Sequence, residues 1–191
     1  KDTFNREDII TSRLDSMLLP MAGSIQKLPD SKVEYTSLIR SSPNSALADA
    51  FKARFNAEML RQDFAASNEK YDVAVRLKGT FKTAFPEGKP KDEKDKSEAS
   101  SVPASEHLTE GKKNAMIVVV ADSDLLQDDY YVSKQNFLGL NFAKIFNDNL
   151  NFVLNAAEVL TGSEDLISIR SRGKFERPFV KVQELERAAQ A

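Results

Sequence analysis

Ala115-Met116-Ile117-Val118-Val119-Val120-Ala121 is an unbroken apolar, β-branched run that ends abruptly in Asp122-Ser123-Asp124. A run without polar alternation is the mark of a strand buried on both faces, as in parallel sheets covered by helices. Polar residues directly after such a strand lie at its carboxyl end, where α/β folds place their ligand sites. The expectation is an α/β domain, a mostly parallel sheet flanked by helices, with Asp122 and Asp124 at its functional edge.

Downstream, Asp128 to Asn141 is aromatic and polar and reads as an ordered loop. Asn147-Asp148 is placed to cap a helix from about Asn149 to Leu160. Its face is Leu150, Val153, Ala157 and Leu160, and Gly162 ends it. Leu166 to Ile169 reads as a short strand, and Val182 to Ala191 as the start of a helix. Upstream, Pro86 to Asn114 holds 13 charged residues and four apolar ones, too few to offset the entropy of ordering. A mobile polar loop is expected at about 86–114.

Before it, Tyr71 to Phe81 alternates Val73, Val75 and Leu77 with polar residues, a half-exposed strand. Ser45 to Phe64 has helical composition, with Leu47, Phe51, Phe55 and Met59 spaced four apart, a stripe that reads as core packing. Ser41-Ser42-Pro43-Asn44-Ser45 is turn chemistry. Val33 to Ile39 is a strand, Ser16 to Ile25 a strand interrupted at Pro20, and Asn5 to Leu14 a turn or short helix.

The 191 residues suit one α/β domain, and 41% apolar content leaves enough Val, Ile, Leu and Phe for a core. A net charge of -2 and a pI near 5.6 supply no positive field for nucleic acid and no polybasic face for a membrane. Absence of cysteine removes disulfides, thiolate nucleophiles and thiolate metal sites. The single histidine, His107, excludes a multi-His zinc site and, lying in the polar stretch, leaves no His-based triad. No apolar run is long enough to span a bilayer. A chain starting at Lys1 without methionine is expected to have been excised from something longer.

Several segments together resemble a known family. VVVADSDLL, DNLNFVLNAAEVLTGSEDLISIRSRG and RPFVKVQELERAAQ, with LDSMLLPMAGSIQK, VEYTSLIRSSPNS and YDVAVRLKGTF before them, are similar to the gliding-motility-type (GldG-like) auxiliary component of ABC transport systems. The resemblance implies a protein anchored in the inner membrane with this domain in the periplasm. Its implied partners are the ABC permease and ATPase complex and possible periplasmic cargo. It implies a Rossmann- or flavodoxin-like fold similar to class I glutamine amidotransferases but without a nucleophile, possibly incomplete in this stretch. No cofactor and no catalytic residue follow from it.

Two readings stand for each candidate site. Asp122 and Asp124 suit a divalent cation or polar ligand, or Asp122 caps the next turn while Asp124 is solvated. Arg170, Arg172 and Arg177 suit an acidic partner surface or anion, or pair with Asp122, Asp124 or Glu164. Tyr130, Tyr131 and Phe137 belong to a partner surface or lie buried under a loop. Asn149 and Asn155 are expected to cap and to bond helix to loop. A non-catalytic transport module is the reading favoured by the missing reactive groups. The alternative is a metal- or carbohydrate-handling enzyme that uses Asp122 and Asp124.

Overall fold

The computed structural model describes residues 3–55, 57–88, 108–137 and 140–162. Five strands and three helices follow one another: β1 (Glu34–Arg40), α1 (Ala50–Phe55), α2 (Ala57–Gln62), β2 (Asp72–Gly79), β3 (Ala115–Val120), β4 (Val132–Phe137), β5 (Leu140–Ile145) and α3 (Asn149–Thr161). The strands form two sheets, β1-β2-β3 and β4-β5, and every neighbouring pair is antiparallel.

The expected mostly parallel, Rossmann- or flavodoxin-like sheet is therefore wrong, and the reason lies in the connections. The segments between β1 and β2 and between β2 and β3 are long enough to read as helical crossovers. Both are instead excursions from hairpins, closed at the neck. Ser41 N–H donates to Tyr71 O at 2.8 Å, Tyr71 N–H to Ser41 Oγ at 2.9 Å, and Ser67 N–H to Ser45 O at 2.9 Å. The second neck is closed by Thr83 N–H to Thr109 O and Gly111 N–H to Phe81 O, each 2.9 Å. A strand that returns through such a neck must run antiparallel to the one before it.

The apolar run 115–121 has a matching explanation. Val120, Val118 and Met116 sit opposite Ala74, Arg76 and Lys78 of β2, on the face that turns to the core. Ile117 and Val119 point the other way, and Ile117 remains 40% exposed. The run lacks alternation because both faces of the strand are apolar, yet its core-side residues are partly buried and none of the strand is fully covered.

The core lies between that face, α3 and the irregular N-terminal segment. Ile10 and Leu14, Leu38 and Ile39, Val73 and Ala74, and Phe152, Ala156 and Val159 form one buried cluster. Four other expectations need correction. The face of α3 that is buried is Phe152, Ala156 and Val159, not Leu150, Val153, Ala157 and Leu160, of which Ala157 and Leu160 are exposed. The stretch from Ser16 to Ile25 forms no strand beyond an isolated bridge from Ile25 to Asp72. Asp128 to Asn141 is a 3-10 turn at Asp128–Tyr130 followed by β4 and the first residues of β5, not a loop. The stripe of Leu47, Phe51, Phe55 and Met59 stands outside the core. Most of the polar loop, together with the strand and helix expected after residue 162, lies outside the described residues.

The N-terminal segment packs against the core without a ladder to satisfy its backbone, and buried N–H and C=O groups need partners. Local turns and Arg6 supply some of the partners, and side chains of α3 and its N-cap residue Asp148 supply others. Asn149 Oδ1 accepts from Leu18 N at 3.0 Å, while its Nδ2 donates to Leu18 O at 2.7 Å and Leu125 O at 2.8 Å. Asp148 Oδ2 accepts from the amides of Asp15 (2.7 Å) and Ser16 (3.3 Å), and Asn155 Nδ2 donates to Ile10 O at 2.9 Å. The expected helix–loop role of Asn149 and Asn155 is what these contacts show. The helix closes at Gly162, whose φ of 78° lets its amide fold back to Glu158 O and Val159 O.

One ion pair fastens the same segment to the sheet: Arg76 Nη1 lies 3.0 Å from Asp8 Oδ2, with the Asp8 side chain 2% exposed. Asn149→Ala is expected to lower the unfolding free energy by about 2 kcal/mol in urea titration, since three part-buried backbone groups lose their partner. Arg76→Met is expected to cost a similar amount, about 3 kcal/mol, because it strands the Asp8 carboxylate. A loss below about 1 kcal/mol in either would show that the segment is held by packing alone.

Candidate functional site

The connection from β3 to β4 carries four of the residues singled out in the sequence. Asp122, two residues past the end of β3, is 6% exposed. Its Oδ1 accepts from Asp124 N at 2.8 Å and its Oδ2 from Met21 N at 3.2 Å. The first bond is an Asx turn that reverses the chain as it leaves the sheet. The second ties that turn to the N-terminal segment, which meets the strand end again where Gly23 N–H donates to Ala121 O at 2.6 Å. Both oxygens of the buried carboxylate thus hold backbone.

Asp124 is half-buried, with Ser123 Oγ 3.4 Å from its Oδ1. Its carbonyl accepts from Gln127 N, and the Gln127 carbonyl from Tyr130 N, so successive turns carry the chain from Asp124 to the tyrosines. Tyr130 and Tyr131 are half-buried. The carbonyl of Tyr130 accepts from Asn147 Nδ2 at 2.6 Å, and that of Tyr131 from Phe146 N at 3.1 Å, which seats the 3-10 turn on the entrance to α3. Beside them Lys134 Nζ donates to Asp128 Oδ2 at 2.8 Å. That hydrogen bond holds the fully exposed Asp128 carboxyl below its ordinary range and raises the lysine. Among the described residues no three His, Cys, Asp or Glu side chains gather as a metal site would require. Arg170, Arg172 and Arg177 lie outside the described residues.

A second group was missed in the sequence and is assembled by strand pairing. Arg40 sits opposite Asp72 in the β1–β2 register, and its Nε donates to Asp72 Oδ1 at 2.9 Å while Nη2 donates to Ser37 Oγ at 2.9 Å. Tyr35 donates its hydroxyl to Asp72 Oδ2 at 2.8 Å. Burial, and after it the hydrogen bond and negative charge of Asp72, push the phenol up to about 12.

These side chains border an open groove of about 440 Å³ along the outer edge of β1, lined by Thr3, Phe4, Asn5, Arg40 and residues 35–38. Thr3 to Asn5 pairs with the Leu38–Arg40 half of that edge, with Asn5 N–H to Leu38 O at 2.9 Å and Arg40 N–H to Thr3 O at 2.8 Å. The chain then turns away, because Asn5 Oδ1 accepts the amide of Glu7 at 3.0 Å. Nothing in the sequence signals this groove, since its parts are brought together only by the hairpin.

A family model described as "ABC-type uncharacterized transport system" matches residues 1–156, a span that takes in both sheets, the groove and the first half of α3. The chain belongs to this ABC transport auxiliary family. That agrees, at the level of an auxiliary ABC transport component, with the resemblance carried by the strand-end and helix motifs. No curated protein and no solved structure matches the auxiliary chain. No helix among its described residues is long and apolar enough to cross a membrane.

In a tyrosinate absorbance titration a step near pH 12 is expected from Tyr35, and it is expected to disappear in Tyr35→Phe. Asp72→Asn is expected to bring it down toward the ordinary value. The phenol is raised in the folded state, so its contribution to stability is complete below pH 10 and is lost as pH climbs through about 12. A titration without a step near pH 12, or one that Tyr35→Phe leaves unchanged, would overturn the Tyr35–Asp72 contact.

Proposed function

We propose that this auxiliary chain is a non-catalytic binding component of its ABC-type transport system, acting outside the cytoplasm on an inner-membrane-anchored protein and contacting the permease or a periplasmic cargo. The observation that carries the reading is the state of Asp122. An acid or base in catalysis must face a substrate, whereas this carboxylate is buried and engaged by two backbone amides. The strand end that resembles a ligand edge is thereby a clamp between sheet and N-terminal segment.

The surface we assign to the partner is the groove beside β1. An open strand edge accepts an extended segment through main-chain hydrogen bonds, and residues 3–5 already use half of this edge in that way. Tyr35 and Arg40, an aromatic ring and a half-exposed guanidinium, are the side-chain types enriched where proteins meet. Tyr130 and Tyr131 form a second aromatic surface on the β3–β4 connection.

Co-purification from membranes of the complete protein with the permease of its own system tests this. Arg40→Glu is expected to reduce the recovered permease at least fivefold while leaving the far-ultraviolet circular dichroism intact. Asp122→Asn is expected to lower the melting temperature without changing recovery and without creating a response to millimolar Mg²⁺ or Ca²⁺. Stabilisation by either cation that Asp122→Asn abolishes would replace the binding role with a metal-dependent one.

A further inference from the structure

We infer that residues 46–66 form an arm thermodynamically uncoupled from the domain, able to order and melt while the β1–β2 hairpin stays closed beneath it. The inference goes beyond the binding reading and does not rest on it. It starts from burial. Among the described residues from Ala46 to Ala66 none is buried, and only Ala53, Leu60 and Ala66 are half-buried. Phe51 and Phe55 are 71% and 68% exposed. Among the described elements α1 and α2 touch each other and no other helix or strand. A segment that shares no buried apolar contact with the core stands at the low-stability end of a structure, where local opening does not require the rest to unfold.

Local contacts do not replace the missing core. The two helices span six residues each, and helices shorter than about 12 residues are marginal in water without tertiary packing. Their supports are the cap from Asp49 Oδ1 to Lys52 N at 3.0 Å, the Phe51 and Phe55 rings 4.8 Å apart, and two exposed ion pairs, Glu58 with Arg61 at 3.6 Å and Lys52 with Asp63 at 3.8 Å. Each such contact moves a helix–coil equilibrium only about twofold to fivefold.

The hairpin, in turn, closes without the arm. Arg40 faces Asp72, Ser41 N–H donates to Tyr71 O at 2.8 Å, and Ser67 N–H donates to Ser45 O at 2.9 Å. Each step outward beyond β1 is thus matched by an equal step before β2, and the register of the sheet is carried to the root of the arm. Hydroxyls complete the closure: Ser67 Oγ donates to Ser45 O at 2.8 Å, Ser45 Oγ to Ser42 O at 2.7 Å, and Ser41 Oγ lies 2.8 Å from Ser45 Oγ. All of these bonds lie on the sheet side of Ala46 and Ala66. The neck therefore fixes β1 against β2 whatever the state of the arm.

Hydrogen exchange of the full chain, read by mass spectrometry, is the test. Amides of residues 46–66 are expected to exchange within about tenfold of the unstructured rate, and those of β1 and β2 more slowly by on the order of a thousandfold. Ala53→Pro removes the 2.9 Å bond from Ala53 N–H to Asp49 O and is expected to lower the melting temperature by less than about 2 °C. In a helix coupled to the fold the same proline would lower it by about 10 °C. Replacing residues 46–66 by Asn-Gly, a two-residue turn between Ser45 and Ser67, is expected to leave the melting temperature unchanged or raised, because the closed loop is shorter. The Tyr35 step near pH 12 should persist in that variant, as a mark of intact β1–β2 register. Exchange across 46–66 as slow as in β1 and β2 overturns the inference. So does a fall of more than about 2 °C in either variant, or loss of a tyrosine step that the parent chain shows.

Discussion

A stretch of chain that packs into a core without belonging to a helix or strand needs a partner for every buried backbone group. In this protein the requirement falls on residues 8–18, and the N-cap and first turns of α3 meet much of it beside local turns. Asp148, Asn149 and Asn155 project carboxylate and amide groups onto Asp15, Ser16, Leu18 and Ile10, and Asn149 reaches Leu125 as well. An amide side chain suits the task because it carries both a donor and an acceptor. With the segment in place, Ile10 and Leu14 complete the cluster around Phe152, and Asp8 can receive Arg76. Without those bonds α3 would meet the sheet over a gap.

The same logic reaches the strand end. Asp122 is to the β3 terminus what Asn149 is to the helix, a buried polar side chain that binds passing backbone. Residues that look chemically suggestive in one dimension are in this fold used for construction. The surface we propose for a partner lies where backbone groups are left over, along the open part of the β1 edge.

Much of the local structure was legible. The strands over Val33–Ile39, Tyr71–Phe81 and Ala115–Ala121 and the helix from Asn149 closed by Gly162 all stand close to where periodicity and capping place them. These signals are local, set by side-chain alternation, by β-branched content and by the left-handed freedom of one glycine. The asparagines of α3 were legible as helix–loop contacts, though not which loop they serve. Membership of an ABC transport auxiliary family was also legible, in motifs that lie within residues 1–156.

What the sequence determined by itself is this inventory of elements and the lack of thiols and clustered histidines from which to build an active centre. Only the tertiary structure decided strand direction, because a long connection between two strands fits a crossover and a necked hairpin equally well until the closing hydrogen bonds are seen. It also decided which apolar residues are inside. Phe51, Phe55 and Val118 are all apolar members of regular patterns, yet β3 lies against α3 while α1 and α2 are carried outward by the neck at Ser41 and Ser45. Periodicity reports that a face exists; burial depends on whether another element arrives to cover it.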